Sequence, residues 1–208
     1  MIEPIFHKLR LLLVTAVLML CSFGGGFAFA NSEQPGEINL DNYLPDQSMW
    51  SEKAKGKYES AKITSDTPLA LLKIKRLNIE APVYYGTDRV TLDRGLGIVE
   101  GTTNIGEVGN IGLSGHRDSF FRPLKDIKLG DIIEMSTLER VQEFEVSNIS
   151  IVDALDISVL DPSETTVLTL ITCHPFYYEG YAPDRYIVRA TPVSRMNKGE
   201  PDTVQKAR

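Results

Sequence analysis

Thr169-Leu170-Ile171-Thr172-Cys173-His174-Pro175 sets a thiol where an uncharged run meets a proline. Thr166 to Thr172 is rich in β-branched residues, as in a strand buried at the centre of a sheet. Pro175 stops regular pairing, so the sulfur falls at a sheet rim, held rigidly yet reachable. A nucleophile needs both. It also needs a base, because a free thiol with a pKa of about 8.5 is mostly protonated at neutral pH and the thiolate is the attacking species. Three histidines are available. His7 precedes a long apolar stretch, and His174, adjacent to the thiol, points to the other face if the strand continues through it. His116, in Leu113-Ser114-Gly115-His116-Arg117, ends another apolar strand. If the two strands are neighbours, both tips reach one rim and His116 is the natural acid/base; alone, the motif reads as a surface turn. Arg185, in Ala182-Pro183-Asp184-Arg185-Tyr186, follows Cys173 by twelve positions. That length returns the chain as an antiparallel neighbour and stands Arg185 beside the thiol. There its N–H groups can hold a carbonyl oxygen that becomes an oxyanion; alone, it reads as a strand-end arginine paired with Asp184.

The elements that must position these residues are short strands. Leu69 to Ile79, Pro82 to Tyr85, Gly97 to Glu100, Asn110 to Ser114 and Asp131 to Ser136 are candidates. So are Phe144 to Val152, irregular near Asn148, Thr166 to Thr172, and the alternating Arg185 to Ala190. One short helix is expected around Phe120 to Asp126. About eight strands with few helices argue for a mainly β domain, a barrel or a sandwich. Upstream, Asn31 to about Pro68 is polar and reads as a spacer. Within it, Ser48 to Lys62 is either a helix capped by Ser48 or an irregular tether.

The 208 residues allow one ordinary domain plus a targeting segment. A net charge of −6 argues against a non-specific nucleic-acid binder, which needs a basic surface. Leu11 to Ala30 is uncharged and preceded by Lys8 and Arg10, and its length matches one hydrocarbon core as a helix. The charge bias places residues 1–10 in the cytoplasm and the domain outside. Two readings stand: a retained single-pass anchor, or a signal peptide cut after Ala30 in Ala28-Phe29-Ala30. Cys21 lies inside this segment, which leaves Cys173 as the only thiol of the exported part. A lone thiol there is either reactive, bridged between chains, or a buried and inert small side chain. Asp153, Asp156, Asp161 and Glu164 invite a Ca²⁺ reading but lack the ligand spacing of a calcium loop, so a solvated acidic loop is expected and no cofactor.

Taken together, Thr-Leu-Ile-Thr-Cys173, the upstream Gly-His116-Arg and the downstream Arg185-Tyr-Ile-Val-Arg-Ala strand resemble the sortases over about Leu69 to Val193. Pro175-Phe176-Tyr177-Tyr178 and Ala-Pro-Asp-Arg-Tyr-Ile-Val resemble class D most. The resemblance implies a closed eight-stranded barrel over 68–194, followed by a polar tail at 195–208. It implies Cys173 as nucleophile, His116 as general acid/base and Arg185 as carbonyl stabiliser, with Leu170 and Thr172 contacting the peptide. It further implies a cysteine transpeptidase, a peptidase and acyltransferase of the hydrolase class. Its partners would be secreted proteins with a C-terminal Leu-Pro-x-Thr-like sorting signal and an amine acceptor at the cell envelope. Two other readings stay open. One is a non-catalytic exported binding module with a buried thiol. The other is an L,D-transpeptidase-like enzyme, whose Ser-His-Gly-x-x-Gly-Cys-like context this chain lacks.

Overall fold

A computed structural model describes residues 38, 40, 43–61, 67–177 and 180–193. The segment at 11–30, its flank at 1–10, much of the spacer and the tail at 195–208 lie outside the described residues. Among the described residues, no helix is long and apolar enough to cross a membrane.

Eight strands close into one barrel. They are β1 (Ala70–Ile74), β2 (Ile79–Tyr85), β3 (Leu96–Ile98), β4 (Asn110–Ser114), β5 (Ile132–Ser136), β6 (Val141–Asp153), β7 (Val167–His174) and β8 (Asp184–Pro192). The order around the barrel is β1-β2-β3-β4-β7-β8-β6-β5. Closure leaves no open sheet edge, and alternate residues fill the interior. In β1, Ala70, Leu72 and Ile74 are fully buried while Leu71 and Lys73 are not. The same alternation turns Leu168 and Leu170 of β7 inward. The irregularity expected near Asn148 is a register shift in the β6–β8 ladder between Val146 and Asn148.

The first strand is shorter than the sequence pattern suggested. The chain reverses through a 3-10 turn at Lys75–Leu77, and Asn78 takes a left-handed conformation (φ 52°) that asparagine tolerates. Arg76 holds the turn, donating to Asp131 Oδ1 and to the Asp126 carbonyl, each at 2.6 Å. Leu69 to Ile79 is therefore a strand and a turn, with β2 beginning at Ile79.

The parallel β4–β7 pairing sets the level of the site. It aligns Asn110 with Val167 and Ser114 with Ile171. A buried side-chain bond accompanies this register: the Thr169 hydroxyl donates to Asn110 Oδ1 at 2.6 Å. The Asn110 amide donates in turn to the carbonyls of Val159 and Asp161, each at 3.0 Å. Asn110 thus satisfies its polar groups inside the barrel wall and ties β4 to the loop before β7.

Among the described residues, two short helices flank the barrel. Helix α1 (Glu52–Ser60) falls within the Ser48 to Lys62 window, but its N-cap is Ser51, whose hydroxyl accepts from the Ala54 N–H at 3.1 Å. Trp50 and Ala54 belong to the core, and Trp50 packs edge-on against Phe120 at 4.6 Å. Part of the stretch read as spacer is thereby packed on the barrel. Helix α2 (Arg89–Arg94) had no counterpart in the sequence reading. Asp88 caps it, accepting from the N–H groups of Val90 and Thr91 at 2.9 and 3.2 Å. The helix expected around Phe120 to Asp126 is a 3-10 segment at Arg122–Asp126.

Candidate active site

Cys173 is the penultimate residue of β7 and Arg185 the second of β8, and the antiparallel ladder pairs them directly. Directly opposed residues project from the same face, so sulfur and guanidinium share one side of the sheet. The β4–β7 ladder runs one residue past β4, where the Gly115 N–H donates to the Ile171 carbonyl at 3.2 Å. Continuing that register brings His116 level with Cys173. His116, Cys173 and Arg185 line a single cleft of about 240 Å³, together with Arg117, Asp118, Gly180, Tyr181 and Ala182. Cys173 is free and half-buried, so the inert buried-thiol reading does not fit its position. Arg185 is held from behind: its Nη1 donates to the carbonyls of Ala182 and Asp184 at 3.2 and 3.0 Å.

The contact roles expected for Leu170 and Thr172 need correction. Leu170 is fully buried in the core and Thr172 is 2% exposed, both on the opposite face of β7 from the thiol. Neither can meet a peptide at the cleft. Thr172 does something else, donating its hydroxyl to the Gly115 carbonyl at 2.8 Å and fastening β7 to the residue before His116. His174 also faces away. Its ring stacks on Tyr186 at 6.1 Å, and its Nδ1 lies 3.9 Å from Asp184 Oδ2.

Gly115 is required by space. A Cβ there would lie 2.7 Å from both Leu96 Cδ2 and Phe121 Cδ2, side chains that are themselves fully buried. Neither can swing into solvent. Gly115→Ala is expected to destabilise the fold by about 1–3 kcal/mol through overpacking and to displace His116. Urea denaturation together with peptide-cleavage assays checks this; unchanged values for both would show that the wall yields.

His116 is half-buried. Burial is the main cause pushing its pKa below the ordinary histidine value, and the Lys57 ammonium adds to it; the carboxylates of Asp118 and Asp93 act the other way. Neutral imidazole at neutral pH is a base ready to take a proton. Arg117 and Arg122 lace the loop after β7. Arg117 donates to the carbonyls of Pro175 and Gly180 at 3.1 and 3.0 Å, and Arg122 to that of Phe176 at 2.6 Å. These arginines and Asp93 escaped the sequence reading. Only Arg117, next to His116 in its motif, carried a visible signal. Two of the four residues of the acidic loop cap turns: Asp153 Oδ1 accepts from the Leu155 N–H and Asp156 Oδ1 from the Ser158 N–H and hydroxyl.

A family model described as the Sortase domain matches residues 72–193. Sortase D of Bacillus subtilis (strain 168) is 35% identical over 139 residues, covering 66% of this chain and 70% of that protein. Sortase A of Listeria monocytogenes is 29% identical over 118 residues, covering 55% of this chain and 53% of that one. The solved structure of a Clostridium perfringens sortase D5 transpeptidase superposes with a TM-score of 0.56 at 27% identity, covering 69% of this chain and 89% of that chain.

Proposed function

Because the chain belongs to the sortase family of transpeptidases and is class D-like, we propose that it cleaves a Leu-Pro-x-Thr-like signal of secreted proteins and passes the acyl group to an amine. The observation that carries this reading is the convergence on one cleft of Cys173 from β7, Arg185 from β8 and His116 from the loop just after β4. The Cys173 sulfur attacks the carbonyl carbon of the threonine, and its proton passes to His116. Arg185 donates hydrogen bonds to the oxygen as it gains negative charge. The C–N bond then breaks, and His116 returns the proton to the departing amine. The resulting thioester keeps much of the activation of the scissile bond. A second amine displaces the sulfur, losing its proton to His116, and water does the same slowly when no amine is present. The segment at 11–30 holds the enzyme in the cytoplasmic membrane with the barrel on the extracytoplasmic side.

The chemistry is tested by mass spectrometry of the intact chain mixed with a Leu-Pro-x-Thr-Gly peptide. A covalent adduct on Cys173 is expected without added amine, discharged when an amine such as hydroxylamine is supplied. Cleavage with no adduct at any time and no amine-dependent product would overturn the thioester route.

A further inference from the structure

The Nε2 edge of His116 faces helix α2. Nε2 is shielded from solvent and has no aligned hydrogen-bond partner, and the same holds for Asp93 Oδ1, 3.4 Å away. At 3.4 Å the two atoms are within reach of a hydrogen bond, and a small rotation of the ring brings Nε2–H into line with the carboxylate. Asp93, with a side chain only 10% exposed, stands in the last turn of α2. Its Oδ1 also lies 3.5 Å from Lys57 Nζ of α1, and its Oδ2 lies 3.7 Å from Arg89 Nε.

We propose that Asp93 is the positioning residue of His116, accepting from Nε2–H so that Nδ1 is the nitrogen offered to the cleft, with Lys57 moderating its charge. This rests on the reading of His116 as the acid/base. A base oriented by a third group is the general arrangement for activating a weak nucleophile. Asp93 takes no proton; its charge favours the imidazolium that forms while the thiol proton is in transit. The charged and titratable groups around the ring are Lys57 from α1, Asp93 and behind it Arg89 from α2, Asp118 from the loop after β4, Cys173 from β7 and Arg185 from β8. Lys57 and Asp93 act on the ring in opposite senses, so two substitutions separate an electrostatic role from a structural one.

The experiment is an NMR titration of the His116 ring in the full chain, without substrate. Asp93→Asn keeps an oxygen for Nε2–H but removes the charge, and is expected to lower the His116 midpoint by about one pH unit. Lys57→Met is expected to raise it by roughly half a unit. Peptide cleavage in Asp93→Asn should fall roughly tenfold in kcat with KM unchanged, and Asp93→Glu should recover part of the loss. An unmoved midpoint in Asp93→Asn, or a shift of the same sign in both variants, overturns the proposal. Should Asp93→Asn fail to fold, Lys57→Met decides alone, and an unmoved midpoint there overturns it. Opposite shifts in a chain that cleaves no sorting-signal peptide would leave the Asp93 contact standing and remove the transpeptidase reading instead.

Discussion

Cys173→Ala is expected to abolish cleavage of a Leu-Pro-x-Thr-Gly peptide, leaving under about a thousandth of the parent rate. The proposed reaction runs through a covalent acyl-enzyme, and among the described residues no other thiol lines the cleft. Water has no better attacking group to borrow there. Cys173→Ser is expected to fare little better, because an alcohol lacks the acidity and softness that make a thiol an effective nucleophile near neutral pH. Stability should hardly change in either variant. The sulfur is half-buried and free, outside the packed core, so its loss creates no cavity. Chromatographic assay of peptide products, beside thermal melts of both variants, checks the pair of statements. Retained cleavage in a folded Cys173→Ala chain would end the nucleophile assignment.

The strands that carry the site were legible because each is a short run with its own local signal. β7 is uncharged and β-branched, β8 alternates, and β4 is apolar from Ile111 to Leu113. What placed His116 beside Cys173 was not local. β4 and β7 pair in parallel across more than fifty intervening residues, with the Asn110–Thr169 bond beside the ladder. No pattern inside either strand announces that pairing, and the family resemblance supplied what periodicity could not. The β1–β2 reversal was missed because the alternation resumes at Leu77 and Ile79 after the single break at Lys75-Arg76. The turn depends on Asn78 and on Arg76 reaching Asp131, a residue distant in sequence. The misreading of Thr172 was avoidable. A period of two puts positions 172 and 173 on opposite faces, so the same rule that exposes the thiol turns its neighbour inward. Helix α2 had one readable mark, the capping Asp88, but at six residues it is too short for periodicity to show. Asp93 gave no mark at all, since its meaning comes only from lying 3.4 Å from a ring that belongs to another element.

The second large effect belongs to Arg185. Arg185→Ala is expected to lower kcat by about 10²–10³-fold, the range seen when one donor to a developing oxyanion is lost. KM should move less, because the ground-state carbonyl oxygen carries little charge and gains less from the guanidinium than the oxyanion does. A competing explanation is structural. Arg185 Nη1 also braces the carbonyls of Ala182 and Asp184, and both Ala182 and Arg185 line the cleft. Three measurements tell the roles apart. Alkylation of Cys173 by iodoacetamide reports on the free thiol without passing through a carbonyl oxyanion. If Arg185 acts on the oxyanion, its removal leaves alkylation within a few-fold of the parent while cleavage collapses. If it merely holds the loop, both rates and the melting temperature should fall together. Arg185→Lys completes the comparison, because it keeps the charge but not the planar fork of donors. An oxyanion role that needs both brace and donor predicts a rate for Arg185→Lys between alanine and parent, and closer to alanine. Full activity in Arg185→Ala would show that the oxygen is stabilised elsewhere, with the backbone N–H groups around the cleft as the next place to look.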